Sequence, residues 1–113
     1  MNLQPYEFYK HLIALPFVQA IWLFGSRARG DNQARADIDL AIECPQASSQ
    51  DWLKVLEIID QSDTLLQIDC VRLDELAETA PLKKAIQHEG IKIYDRRQNK
   101  IRFKQTTEGF NCP

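Results

Sequence analysis

The run Ala20-Ile21-Trp22-Leu23-Phe24 is apolar throughout and stops at Gly25. A short unbroken apolar segment bounded by a turn residue is how a strand buried on both faces looks. The flanking segments supply layers to cover such a strand. Residues 5–15 read as a helix, with Pro5 in the first turn, Phe8, Leu12 and Leu15 on one stripe, and Pro16 as the stop. Ser48 and Asp51 have capping-box spacing and open a second helix, running to about Asp60, for which Leu53, Leu56 and Ile59 are the expected buried stripe. Residues 65–73 read as a strand with Ile68 and Cys70 toward the core and Asp69 pointing away. Asp74 is placed to cap a short helix ending near Pro81, and a further helix, 82–89, ends at Gly90. Residues 91–95 are a fourth strand. The order of elements predicts one small α/β domain, a mixed sheet flanked by helices.

At 113 residues the chain has room for a single domain. That domain is expected over 1–95. Residues 96–113 form a basic C-terminal extension, in which 100–104 alternates and reads either as a hairpin strand or as a tail. No window is apolar for long enough to span a bilayer. The opening residues lack the basic start and apolar run of a secretory signal, so a cytoplasmic protein with reduced thiols at Cys44, Cys70 and Cys112 is expected. Arg96, Arg97, Lys100, Arg102 and Lys104 against Glu108 give the extension +4, which leaves −6 on residues 1–95 within the total of −2. An acidic body argues against a broad nucleic-acid groove and suits a site that takes a cation before it accepts a polyphosphate.

The candidate chemistry centres on Asp37 and Asp39. Ile38, Leu40 and Ile42 dictate a strand over 37–42, which puts the two carboxylates on its other face with Ala41. Their Cα atoms are then about 6.6 Å apart, and the oxygens can converge on ions ~3.5–4 Å apart. Oxygen-only ligands favour magnesium over zinc. The plain alternative is a solvated strand face. Against it, aspartate is a poor strand former, and such a conflict between residue and element often marks function. Gly25-Ser26 directly follows the first strand; the glycine admits close approach of a ligand, and the serine hydroxyl and adjacent N–H groups can hold an anion. Ten residues separate this pair from Asp37, a layout that sets a phosphate cradle beside metal ligands. A third carboxylate would bind a second ion or accept the proton of an attacking hydroxyl. Asp69 is the candidate, alone among Leu65, Leu66, Ile68 and Val71, whereas Asp60, Asp63 and Asp74 lie at helix ends or turns. Arg27, Arg29 and Arg35 flank the cradle and read either as triphosphate contacts or as solvated loop residues. His11 and His88 read as surface residues; Trp22, Phe24 and Trp52 read as core.

Gly25-Ser26-Arg27-Ala28-Arg29-Gly30 followed by Asp37-Ile38-Asp39 resembles the signature of the minimal nucleotidyltransferases, within the polymerase-β superfamily, and the ending 89–95 is similar to the close of that domain. The resemblance covers about residues 1–95. It implies a nucleotidyltransferase fold in which Gly25 and Ser26 hold a triphosphate, with Arg27 and Arg29 beside them, and in which Asp37 and Asp39 bind one or two Mg2+ ions. Asp69 matches the third carboxylate by strand position. The implied reaction transfers a nucleoside monophosphate, AMP from ATP by analogy, to a hydroxyl. Many such proteins are antitoxins that modify a tyrosine of a small helical HEPN-type partner encoded nearby. A protein acceptor suits the acidic body, and little chain is left for binding an acceptor otherwise. The alternative is a binding module that neutralises its partner by covering it.

Overall fold

A computed structural model describes residues 3–24 and 38–97. The expected 25–36 loop and the 100–104 alternation lie outside these residues.

The first helix, α1, is Glu7–Ala14, shorter than expected because Tyr6, not a polar cap, precedes it. Its open N-terminus is closed from elsewhere: the Asp63 carboxylate accepts the N–H groups of Glu7 and Phe8 at 3.1 and 3.2 Å. Strand β1 is Ala20–Phe24, and β2 is Ile38–Glu43. Helix α2 is Ser49–Asp60, opened by a full capping box in which Ser48 and Asp51 satisfy each other's backbone N–H. Strand β3 is Ile68–Arg72, followed by a 3-10 turn at Leu73–Glu75. Helix α3 is Pro81–Glu89, with proline in its first turn, and β4 is Ile91–Asp95.

The strands form one mixed sheet in the order β3-β2-β1-β4. β1 runs antiparallel to both β2 and β4, and β2 runs parallel to β3. A parallel neighbour needs a crossover, which α2 provides. One sheet face, with Ile21, Leu23, Ile38, Leu40 and Ile42, packs on Phe8 and Leu12 of α1 and Val55 of α2. The other face carries Ala41, Trp22, Phe24 and Val71, covered by Leu73 and by Ile86 of α3. β2, one of the two inner strands, is buried on both faces; in β1, the other, Trp22 and Phe24 remain half-buried. Trp52 is half-buried as well, packed against the first core.

Two local expectations are corrected. The buried stripe of α2 is Trp52, Val55, Ile58 and Ile59; Leu53 and Leu56 face outward, at 62% and 39% exposure. The helix is apolar on two sides, so its period alone could not tell which side meets the sheet. Asp74 does not cap a helix. Its carboxylate accepts the Cys44 N–H at 2.8 Å and the Arg72 Nε–H at 3.0 Å. Arg72 in turn donates to the carbonyls of Cys44 and Ala47 at 3.1 and 2.8 Å. This cluster ties the end of β3 to the end of β2 and the entry of α2.

Gly90 ends α3 at the expected position, for a different reason. Its backbone is extended, so no left-handed turn is involved. A Cβ there would lie 2.4 Å from the Ile86 carbonyl oxygen and 3.3 Å from that of Leu23. Only glycine lets helix pass into strand this close to β1.

Candidate active site

The parallel register of β2 and β3 pairs Asp39 directly with Asp69. On the opposite side of β2, Asp39 faces Phe24, the last residue of β1. The next residues in sequence are Gly25 and Ser26. Strand alternation puts both carboxylates on the face that also carries Trp22 and Ala41, away from the main core, as expected from Ile38, Leu40 and Ile42. Gly25, Ser26, Arg27, Arg29, Arg35 and Asp37 lie outside the described residues.

The two aspartates differ in environment. Asp39 is 8% exposed, one of two buried charged residues among those described, whereas Asp69 is exposed. Burial raises the Asp39 carboxyl above its ordinary range, and the Asp69 charge raises it further. An acid pair across neighbouring strands, about 4.8 Å apart, is self-repelling. Both groups are hard oxygen donors, the chemistry a divalent cation such as magnesium takes. Among the described residues no group of three metal-ligating side chains occurs. These residues therefore contribute two carboxylates to any such site.

Two of the rival carboxylates, Asp63 and Asp74, are engaged elsewhere, and Asp60 lies exposed at the end of α2. Asp63 closes α1, and hydrogen bonds from the Glu7 and Phe8 amides hold its pKa below the usual range. Asp74 belongs to the Arg72 cluster. Burial pushes the thiols of Cys44 and Cys70 up to about 12 each. They are core thiols, not thiolate ligands or nucleophiles at neutral pH. His11 and His88 are exposed.

Residues 9–99 match the family of polymerase beta nucleotidyltransferases. The chain belongs to the polymerase β nucleotidyltransferase family. Its match spans all four strands, including both aspartates of the pair. Membership makes it a nucleotidyltransferase, built on the small mixed sheet described above. Among solved structures this family domain is similar to the toxin–antitoxin MntA–HpeT, at 23% identity and TM-score 0.60, over 95% of this chain and 83% of that one. A toxin–antitoxin solved with AMP-PNP matches at 21% and 0.53, over 85% and 77%. A complex of tri-AMPylated Shewanella oneidensis HEPN toxin with MNT antitoxin matches at 22% and 0.50, over 89% and 77%. At such identities the likeness is one of fold. No curated protein matches the sequence.

Phe24 was not singled out for the site by its sequence, since only strand register reveals what stands opposite Asp39. The gain from the structure is the Asp39–Asp69 pairing itself, joining residues 30 positions apart.

Proposed function

We propose that this chain is a magnesium-dependent nucleotidyltransferase of the minimal type, an antitoxin that transfers AMP from ATP to a tyrosine hydroxyl of a HEPN-type partner encoded nearby and acts in the cytoplasm. The observation that carries the reading is the opposed Asp39–Asp69 pair beside the end of β1, in a member of this family. Asp37, Asp39 and Asp69 would hold one or two Mg2+ ions. When bound, the metal neutralises charge on the phosphates and lowers the pKa of an attacking hydroxyl.

The residues of the chain do the rest. Gly25 and Ser26 hold the triphosphate, with Arg27 and Arg29 at its flank. In this reading Asp69, exposed in the next strand, binds the second ion or, where a single ion is held, accepts the proton of the acceptor hydroxyl. The acceptor oxygen forms a bond to the α-phosphorus, the bond from that phosphorus to the bridging oxygen breaks, and pyrophosphate leaves. Buried Asp39 stays fixed by the strands on either side, so the carboxylate geometry is set before substrate arrives. Residues 1–95 are the catalytic domain in this reading, and 96–113 are a basic C-terminal extension.

The resemblance in fold to a complex that contains an AMPylated HEPN toxin, and to a toxin–antitoxin solved with AMP-PNP, supports the choice of nucleotide and acceptor. The test is intact-protein mass spectrometry. The chain is mixed with its genomic neighbour, magnesium and each nucleoside triphosphate. The expected result is a mass gain of one or more AMP units on the neighbour, lost in Asp39→Asn. A stable complex with no mass gain would instead mean neutralisation by occlusion.

A further inference from the structure

Strands β3 and β4 form the two edges of the sheet, and they are built differently. β4 is blunted. It carries Lys92, its register against β1 shifts, and its Ile93 carbonyl accepts the Tyr9 hydroxyl at 3.3 Å. Lysines and irregular pairing are how edge strands turn away further partners. β3 has neither. Its residues, Ile-Asp-Cys-Val-Arg, keep an unbroken register against β2, and among the described residues no strand lies on its outer side.

The pairing fixes which groups that edge presents. The Ile38 N–H donates to the Gln67 carbonyl at 3.0 Å. In a parallel ladder the N–H and C=O groups of Gln67, Asp69 and Val71 then point to β2, and those of Ile68, Cys70 and Arg72 point outward. The Asp69 side chain stands on the same face as Asp39, exposed. A segment added antiparallel would meet Asp69 in the closer kind of pair, with Cα atoms about 4.5 Å apart and both side chains on one face. A hydroxyl carried directly opposite, or on an aromatic ring at the diagonal position, lies beside the Asp69 carboxylate.

The occupant follows from the site. Whether Asp69 binds an ion or takes a proton, the attacking hydroxyl comes to its side. Of the two edges, only β3 carries a carboxylate of the pair. A second copy of this chain fits poorly. β3 laid on itself, 68 opposite 72, sets the two Asp69 side chains on one face as diagonal neighbours roughly 7–8 Å apart, where like charges repel. The −6 on residues 1–95 favours a segment of positive charge. Resting on the transfer reading above, we propose that the outer edge of β3 docks the acceptor protein, which adds an extended, basic, hydroxyl-bearing segment to the sheet. Backbone hydrogen bonds hold the segment, and its alternation aims the hydroxyl.

Residue-resolved amide exchange on the full chain tests this, with magnesium and without nucleotide, alone and with the genomic neighbour. The neighbour should slow exchange at Ile68 and Cys70 by about tenfold or more and leave Asp69 and Val71, already bonded to β2, unchanged. Its mass gain with ATP is read on the same preparation. Mass gain without added protection would overturn the docking mode and leave the transferase standing; no mass gain would overturn both. Protection of Ile68 and Cys70 in the chain alone, from residues 98–113 or, where it grows with concentration, from a second copy, would overturn it too. Ile68→Pro deletes one outward donor and spares the inner ladder, at the first strand position, where proline is tolerated. It should raise KM for the neighbour roughly two- to tenfold, the worth of one backbone hydrogen bond, with ATP affinity unchanged. Ile68→Ala trims the side chain but keeps the N–H, and should keep the native KM. Equal shifts in the two variants would overturn the proposal.

Discussion

Replacing Asp39 by asparagine should stabilise the metal-free protein while abolishing nucleotidyl transfer. Asp39 is buried and faces Asp69 across parallel strands. Burial is the larger cause of its raised pKa and the Asp69 charge the second. Two unit charges about 5 Å apart repel by about 0.8 kcal/mol in water and about 3 kcal/mol at an effective dielectric of 20. Asp69 is solvated, so the repulsion lies near the lower figure. With relief of burying a charge added, Asp39→Asn should gain about 1–2 kcal/mol at pH 7, or about 4–8 °C in thermal midpoint.

The sign with pH follows from linkage. A carboxyl raised in the folded state costs stability wherever it is ionised, so the advantage of asparagine is complete at neutral pH. It shrinks as pH falls through the raised folded value and vanishes below the unfolded value of about 3.9. The assay is thermal unfolding of both proteins in a chelator from pH 3.5 to 7.5, then with magnesium. Magnesium should raise the midpoint of the native protein and not that of Asp39→Asn. A variant that melts lower than the native protein at pH 7, or by the same margin at every pH, would refute the reasoning. Asp69→Asn serves as a control: exposed, it should give a smaller gain of the same sign.

Other expectations concern the scaffold. Arg72→Met leaves the largely buried Asp74 carboxylate without its cation and should cost about 2–3 kcal/mol, seen as a lower denaturant midpoint at unchanged slope. Gly90→Ala drives a Cβ onto the Ile86 carbonyl and should cost about 1–3 kcal/mol in the same measurement. Asp63 has a depressed pKa because it accepts two α1 amides. Its contribution is present above the unfolded carboxyl value and lost as pH falls through the folded one. Hydrogen exchange at the Glu7 and Phe8 amides should therefore accelerate in acid before that of β2, and Asp63→Ala should show the acid behaviour at pH 7.

Local signals in the sequence were strong where a residue type has one use. The capping box of Ser48 and Asp51, the apolar run of β1 and the Ile-Lys-Ile-Tyr-Asp strand all occur at the expected positions. The alternation around Asp39 and Asp69 placed both on the face away from the main core. What the sequence could not carry was pairing between distant elements. Nothing local says that Asp69 stands beside Asp39 or that Asp74 reaches back to the Cys44 amide. The α2 error has the same origin: Leu53 and Leu56 satisfy a helical period as well as Trp52, Val55 and Ile59 do, and only the position of the sheet decides between them.

The Arg72 cluster also has a bearing on how the chain is made. It joins Cys44 and Ala47 to residues 72 and 74, at the opposite end of β2 and β3 from the two aspartates. During synthesis, β1, β2 and α2 leave the ribosome first, and at that stage Asp39 has an empty flank where β3 will lie. Only when Asp74 has emerged can the clasp close and fix the register that sets Asp69 beside Asp39. The Asp39–Asp69 pair therefore cannot form until β3 has been translated, and the last step in assembling it is the docking of a single edge strand.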